Sequence, residues 1–191
     1  MELSRADHSV SPPRVDIPRE YNAAEDLIGR NLAAGRADKT AYIDDAGSYS
    51  YGELAERVNR FASALATLGV DMEQRVLLAM LDGIDWPTAF LGAIRAGVVP
   101  VAANTLLTTK DYAFMLEDSR ARVLFVSEAL LLQFEPLIGK LPFLKHVVVS
   151  GKDAKGHLSF RDLLGKGKEE FPVARTTCDD ACFWLYSSGS T

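Results

Sequence analysis

The run Arg75-Val76-Leu77-Leu78-Ala79-Met80-Leu81 is apolar at every position after its first and shows no two-residue alternation of polar and apolar side chains. Neighbouring residues of a strand point to opposite faces, so a strand with one wet face alternates, and a strand covered on both faces does not. Such a segment fits a parallel sheet with helices on both sides, and the rest of the chain can be read against that expectation.

Around this run, helix-like and strand-like segments alternate. From about Ala24 to Ala34, apolar residues recur at helical spacing (Leu27, Ile28, Leu32), and Gly35 can end that helix. Thr40 to Asp44 reads as a strand, and Asp44-Asp45 before Gly47 as a turn. Ser50-Tyr51-Gly52-Glu53 fits a capping box, in which hydroxyl and carboxylate each satisfy an N–H left free at a helix start. The helix that follows has Leu54, Val58, Phe61, Leu65 and Leu68 on one face and Gly69 at its end.

After the central run, Asp82-Gly83 turns the chain and Asp85 can cap a helix whose buried face is expected to be Trp86, Phe90 and Ile94, ending at Gly97. Val98 to Val101 reads as a short strand, with Pro100 marking an edge or a strand end. Thr108 and Asp111 form a second capping box before Tyr112, Met115 and Leu116. A strand is expected at Arg122 to Val126, a helix at Ala129 to Leu137, a strand at Val147 to Val149 and a short helix at Leu158 to Leu164. His146 reads as the polar start of its strand. Phe183 to Tyr186 reads as a buried strand running into a hydroxyl- and glycine-rich loop.

The fold class expected is α/β, with a mostly parallel β-sheet covered by helices on both faces. Residues 1–18, with Ser9, Ser11, Pro12, Pro13 and Pro18, are expected to be an extended lead-in, and residues 19–191 one α/β unit.

Composition narrows the function. Lys plus Arg number 21 against 26 for Asp plus Glu, and the basic residues are scattered, which argues against nucleic acid as a partner. The denser stretch Lys152 to Lys168 follows Gly151, is broken by Gly156, Gly165 and Gly167, and reads as a solvated loop. No apolar run approaches the roughly 18 residues of a spanning helix, and residues 1–20 hold no secretion signal, so no membrane partner and a cytoplasmic location are expected. Cys178 and Cys182 flank Asp179 and Asp180 with no histidine nearby, and read as free thiols.

Three familiar site motifs fail on inspection. Gly151 and Gly156 have Walker-A spacing, but His157 and Leu158 stand where the Lys and Ser/Thr belong. Gly165 and Gly167 lack the third glycine and the preceding strand of a dinucleotide fingerprint. No G-x-S-x-G surrounds Ser188 or Ser190, and none of the three histidines is a candidate base. There remains Ser187-Ser188-Gly189-Ser190-Thr191. Alone, such a run is most often a flexible linker. Directly after an aromatic strand it gains another reading, because ligand loops sit at the carboxyl ends of parallel strands and phosphates are gripped by backbone N–H groups among small residues.

Tyr186-Ser187-Ser188-Gly189-Ser190-Thr191 resembles the first half of the phosphate loop of the acyl-adenylate-forming superfamily of acyl-CoA ligases, adenylation domains and luciferases. Ser50-Tyr51-Gly52-Glu53-Leu54 is similar to that superfamily's early Tyr-x-Glu-Leu signature, and Ala96-Gly97-Val98-Val99-Pro100 lies in a segment similar to its AG-x-x-x-x-P motif. Leu81 to Pro87, Asn104 to Thr108 and Asp179 to Thr191 resemble benzoate–CoA ligases and their aryl-CoA relatives, with Cys182 departing from the small residue expected there.

The resemblance implies that the chain is an incomplete part of the large N-terminal domain of an acyl-adenylate-forming enzyme. It implies two half-reactions in the intact protein. A small aromatic carboxylate attacks the α-phosphate of ATP, with Mg2+, to give an acyl-adenylate, and coenzyme A then displaces AMP. Ser187, Ser188, Gly189, Ser190 and Thr191 would bind the β- and γ-phosphates. The remaining loop residues, the magnesium ligands, the acyl pocket and the catalytic lysine would lie beyond residue 191, so no catalytic or metal-binding residue is assigned here. The 191 residues alone are then expected to be inactive and prone to self-association through surface that the remainder would cover. Two alternatives stand beside this: a non-catalytic α/β interaction module, and a superfamily member with a different second step, such as an adenylation domain or a luciferase.

Overall fold

The computed structural model describes residues 1–187. In chain order its strands are β1 (Arg5–Asp7), β2 (Arg14–Asp16), β3 (Thr40–Asp44), β4 (Gly47–Ser50), β5 (Arg75–Ala79), β6 (Val99–Ala102), β7 (Val123–Ser127), β8 (His146–Ser150), β9 (Leu158–Ser159) and β10 (Trp184–Leu185). Its helices are α1 (Ala23–Ala33), α2 (Tyr51–Thr67), α3 (Asp85–Arg95), α4 (Thr109–Asp118), α5 (Leu131–Phe134) and α6 (Phe160–Lys166).

Six strands form one parallel sheet in the order β10-β6-β5-β7-β8-β9. The non-alternating run takes the place its composition demands. Val76 and Leu78 of β5 face a core made with Val123, Phe125 and Val148 under α2, α3 and α6. Leu77 and Ala79 face the opposite core with Leu124, Val126, Val147 and Val149 under α4 and α5. Every residue from Val76 to Ala79 is fully buried, and such burial stabilises by about 1.5–3 kcal/mol per large aliphatic side chain.

Both capping boxes form reciprocally, Ser50 with Glu53 and Thr108 with Asp111. Pro100 sits inside β6 without breaking the sheet. The N–H groups of Val99 and Ala103 donate to the β5 side, so position 100 would donate to the other side, where pairing with β10 begins only at Val101.

Several expectations are corrected. Of the apolar residues at helical spacing in α1, Ile28 is buried and Leu32 packs beside it, whereas Leu27 is 58% exposed and Ala24 and Asp26 complete the buried face. The buried face of α3 is Thr88, Ala89, Gly92, Ala93 and Ile94, while Trp86 and Phe90 stack on each other at the margin with ring centroids 5.0 Å apart. Small residues let α3 lie close to α2, which bulky rings would prevent. Leu158 belongs to β9, and only from Phe160 is the chain helical, capped by the Ser159 hydroxyl. Residues 128–130 form a tight single turn before the four-residue α5. Gly47 to Ser50 pairs back on β3 as a hairpin outside the main sheet, with the Asp44 carboxylate accepting the turn N–H groups of Ala46 and Gly47. Within the stretch expected as an extended lead-in, β1 and β2 pair as an exposed hairpin. Finally, β10 is a two-residue edge strand and not a buried one: Phe183 is 45% and Leu185 67% exposed.

Candidate functional site

All six strands of the sheet are parallel, so their carboxyl ends open on a single edge. Two features meet there: the point where β10 delivers the chain to Ser187, and a polar crevice above β5, β7 and β8.

At the first, Trp184 pairs with Val101 and Leu185 with Ala102, so the chain leaves the sheet beside the end of β6. Trp184 and Tyr186 lie against the α4 side, and Phe183 touches Phe90 on the α3 side with centroids 5.5 Å apart. The Arg75 guanidinium sits 5.7 Å from the centre of the Trp184 ring. Tyr186 packs edge-on against Phe114 and its hydroxyl donates to Asp118 Oδ2 at 2.6 Å. Burial, reinforced by the Asp118 carboxylate, pushes the Tyr186 phenol up to about 12. Of the residues expected to bind phosphate, Ser187 is exposed at the end of this segment. Ser188, Gly189, Ser190 and Thr191 lie outside the described residues.

No sequence motif marks the second feature. The chain runs from β5 through α3 to β6 on one side, then through α4 to β7 on the other, so connections diverge between β5 and β7. In open parallel sheets that divergence leaves a crevice suited to ligands. Here Ser127 closes its floor by accepting the Leu81 N–H at 2.8 Å. Beside it lies a cavity of about 480 Å³ whose polar lining includes Asp44, Tyr49, Arg57, Asp85, Ser150 and Arg161.

Asp85 was expected to cap α3, but its side chain caps nothing. It forms an ion pair with Arg57, and its Oδ2 accepts the Ser150 hydroxyl at 2.6 Å. Arg57 also donates from Nε to Thr88 Oγ1 at 3.0 Å and lies 5.8 Å from the Tyr49 ring centre. The start of α3 is held instead by Asp44, whose Oδ2 accepts the Ile84 N–H at 2.8 Å. That bond, helped by those from Ala46 and Gly47, outweighs burial and keeps the Asp44 carboxyl below its ordinary range. Asp44, Arg57, Asp85 and Ser150 come from four separate elements, and no local spacing in the sequence announces them.

The Ser150 hydroxyl is held against the Asp85 carboxylate, and that carboxylate is already paired with Arg57, so the arrangement is an ion-paired polar network suited to holding a polar group. Among the described residues no group of three or more His, Cys, Asp or Glu is placed to hold a metal ion, and no helix is long and apolar enough to cross a membrane. Cys178 and Cys182 are free, and His146 opens β8 as expected.

Comparison with known proteins agrees with this architecture. A family described as AMP-binding enzymes matches residues 30–191. The chain is 62% identical to a benzoate–CoA ligase of Thauera aromatica over 99% of its own length and 36% of that protein. It is 45% identical to a 4-hydroxybenzoate–CoA/benzoate–CoA ligase of Rhodopseudomonas palustris over 91% of its length and 32% of the relative. The chain thus spans about a third of the curated relatives it matches. Among solved structures, a benzoate CoA ligase from Burkholderia xenovorans superposes with a TM-score of 0.80 at 47% identity, covering 87% of this chain and 32% of that one. An anthranilate CoA ligase in complex with anthranoyl-AMP superposes with a TM-score of 0.86 at 37% identity, covering 91% and 33%.

Proposed function

This chain belongs to the AMP-binding enzyme family, and on that premise we propose that it is the first part of an aryl-CoA ligase. The intact enzyme would activate benzoate or a related aromatic carboxylate with ATP to an acyl-adenylate and transfer the acyl group to coenzyme A. Residues 19–191 would form a subdomain of its large N-terminal domain, after a lead-in at 1–18. A cytoplasmic location and a place in aromatic acid degradation fit the same reading.

The observation that carries it is the parallel seating of β10 beside β6, which brings the chain at Ser187 to the carboxyl edge of the sheet. Backbone amides and hydroxyls of Ser187, Ser188, Ser190 and Thr191 would hold the β- and γ-phosphates, and Gly189 would allow them close approach. Preorganised N–H and O–H donors stabilise charge as it develops on departing pyrophosphate, because they need no reorientation during the step. Mg2+ would accompany the phosphates; no described residue is assigned to it. The choice of an aromatic acid rests on what the similar ligases are named for.

Such a grip does not suffice for catalysis, since the acid, the metal and the charge-stabilising groups must be held in register together. The 191 residues alone are therefore proposed to be inactive. Exposed Leu185, Phe183 and Phe114 near β10 would also favour self-association of this piece alone.

Benzoate-dependent exchange of pyrophosphate into ATP, measured on the full-length protein and on residues 1–191, tests the reading. Exchange by the full-length protein followed by benzoyl-CoA formation supports it. Exchange without thioester formation points to a family member with another second step, and no exchange with any aromatic acid rejects it.

A further inference from the structure

We propose that Tyr186 and Asp118 form a tether that sets where the hydroxyl run begins, which makes Tyr186 a positioning residue for the phosphate grip. This rests on the ligase reading given above.

The strand that carries the run is weakly held. It comprises two residues, each paired only with β6, and Leu185 is 67% exposed. Tyr186 is the residue immediately before Ser187, and its side chain is fixed at two points: its ring edge by Phe114, at 6.0 Å between centroids, and its hydroxyl by Asp118 at 2.6 Å. Phenylalanine would fill the same space against Phe114, so what the hydroxyl adds is the bond to Asp118.

Asp118 is exposed, but the element that carries it is anchored. Asp118 is the last residue of α4, a helix anchored in the core by Tyr112, Met115 and Leu116. A carboxylate at a helix C-terminus opposes the helix dipole, so Asp118 does not serve the helix that carries it. The same corner is braced by Arg75, which donates from Nε to Ser119 O at 2.6 Å and covers the Trp184 ring. The elevated phenol pKa of Tyr186 keeps its proton on oxygen, as a donor must. A grip built on backbone amides depends on where the backbone leaves the sheet, and a displacement of about 1 Å in such a group lowers rates by about 100-fold.

The test uses the full-length ligase with Tyr186→Phe, Asp118→Ala, their combination, and Asp118→Asn, which keeps an acceptor oxygen. In benzoate-dependent pyrophosphate exchange, kcat/KM for ATP is expected to fall roughly tenfold in each of the first two, with KM for benzoate changed less than about twofold. The double variant should be no worse than the worse single one, and Asp118→Asn should recover most of the loss. Amide hydrogen exchange in a peptide spanning 184–191 should accelerate in Tyr186→Phe and Asp118→Ala. Unchanged amide exchange, losses shared equally between ATP and benzoate, or multiplying effects in the double variant would each overturn the tether. If the wild-type enzyme exchanges no pyrophosphate, the ligase reading falls, and the amide-exchange comparison alone decides whether the tether exists.

Discussion

Gly92 of α3 lies so close to Phe61 of α2 that a Cβ at position 92 would stand 2.7 Å from Phe61 Cδ1 and 3.0 Å from its Cβ. Phe61 cannot yield, because it is fully buried and wedged between Phe125 and Phe160 at centroid distances of 4.9 and 5.6 Å. Gly92→Ala is therefore expected to destabilise by about 1–3 kcal/mol through overpacking, read as a lower urea midpoint. Phe61→Leu in the same background should restore part of the loss; if the double variant is simply the sum of the two, the contact is not the cause.

Gly69, at the end of α2, is constrained differently. Its φ is +70°, and nothing lies within 4 Å of where a Cβ would go. Gly69→Ala should then cost about 1–2 kcal/mol from the left-handed backbone alone, and Gly69→Asn less, since asparagine tolerates that conformation. Equal thermal midpoints for wild type and Gly69→Ala would refute the backbone account.

The contrast between these glycines shows where the sequence was legible. Gly69 follows a helical stripe and a capping box whose partners are three residues apart, so its role could be read locally. β5, β7 and β8 were equally readable, because burial on both faces writes itself as uninterrupted apolar runs. The packing of α3 was not. Its sequence offers two stripes, one bulky (Trp86, Phe90) and one small (Thr88, Ala89, Gly92, Ala93), and the choice is made by the bulk of Phe61 on another helix. Asp85 misled for the same reason: its expected place at the helix start is taken by Asp44, through a bond to the Ile84 N–H that spans 40 residues of chain. The hydroxyl run is visible as a motif, but the delivery of the chain to Ser187 beside β6 depends on a pairing between residues 83 positions apart, which no local pattern encodes.

The Arg57–Asp85 pair should matter more than a surface bridge. Its side chains are only 26% and 31% exposed, and Asp85 also accepts from Ser150. Asp85→Ala would strand the Arg57 guanidinium, at a cost of about 1–3 kcal/mol, below the 3–5 kcal/mol of a fully buried pair. Ser150→Ala should cost about 1 kcal/mol, and the two together less than their sum, because Ser150 loses its partner in the first variant. Strict additivity in chemical unfolding would mean that the network is not coupled.

Asp26 provides a pH-dependent contribution. Burial alone would raise its carboxyl, but hydrogen bonds from Ser4, Arg30 and Tyr21 outweigh burial and hold it below the ordinary range. Because the folded pKa is depressed, the stabilisation is fully present above the unfolded value of about 3.9 and disappears as pH falls through the folded one. The difference in unfolding free energy between wild type and Asp26→Asn should accordingly be largest near neutrality and shrink below about pH 4. Since Asp26 also fastens Ser4 to α1, the variant should be cut faster by protease within residues 1–16 at neutral pH. A stability difference that stays constant from about pH 7 to about pH 3 would mean that the charge of Asp26 contributes nothing and that the cluster acts through its neutral hydrogen bonds alone.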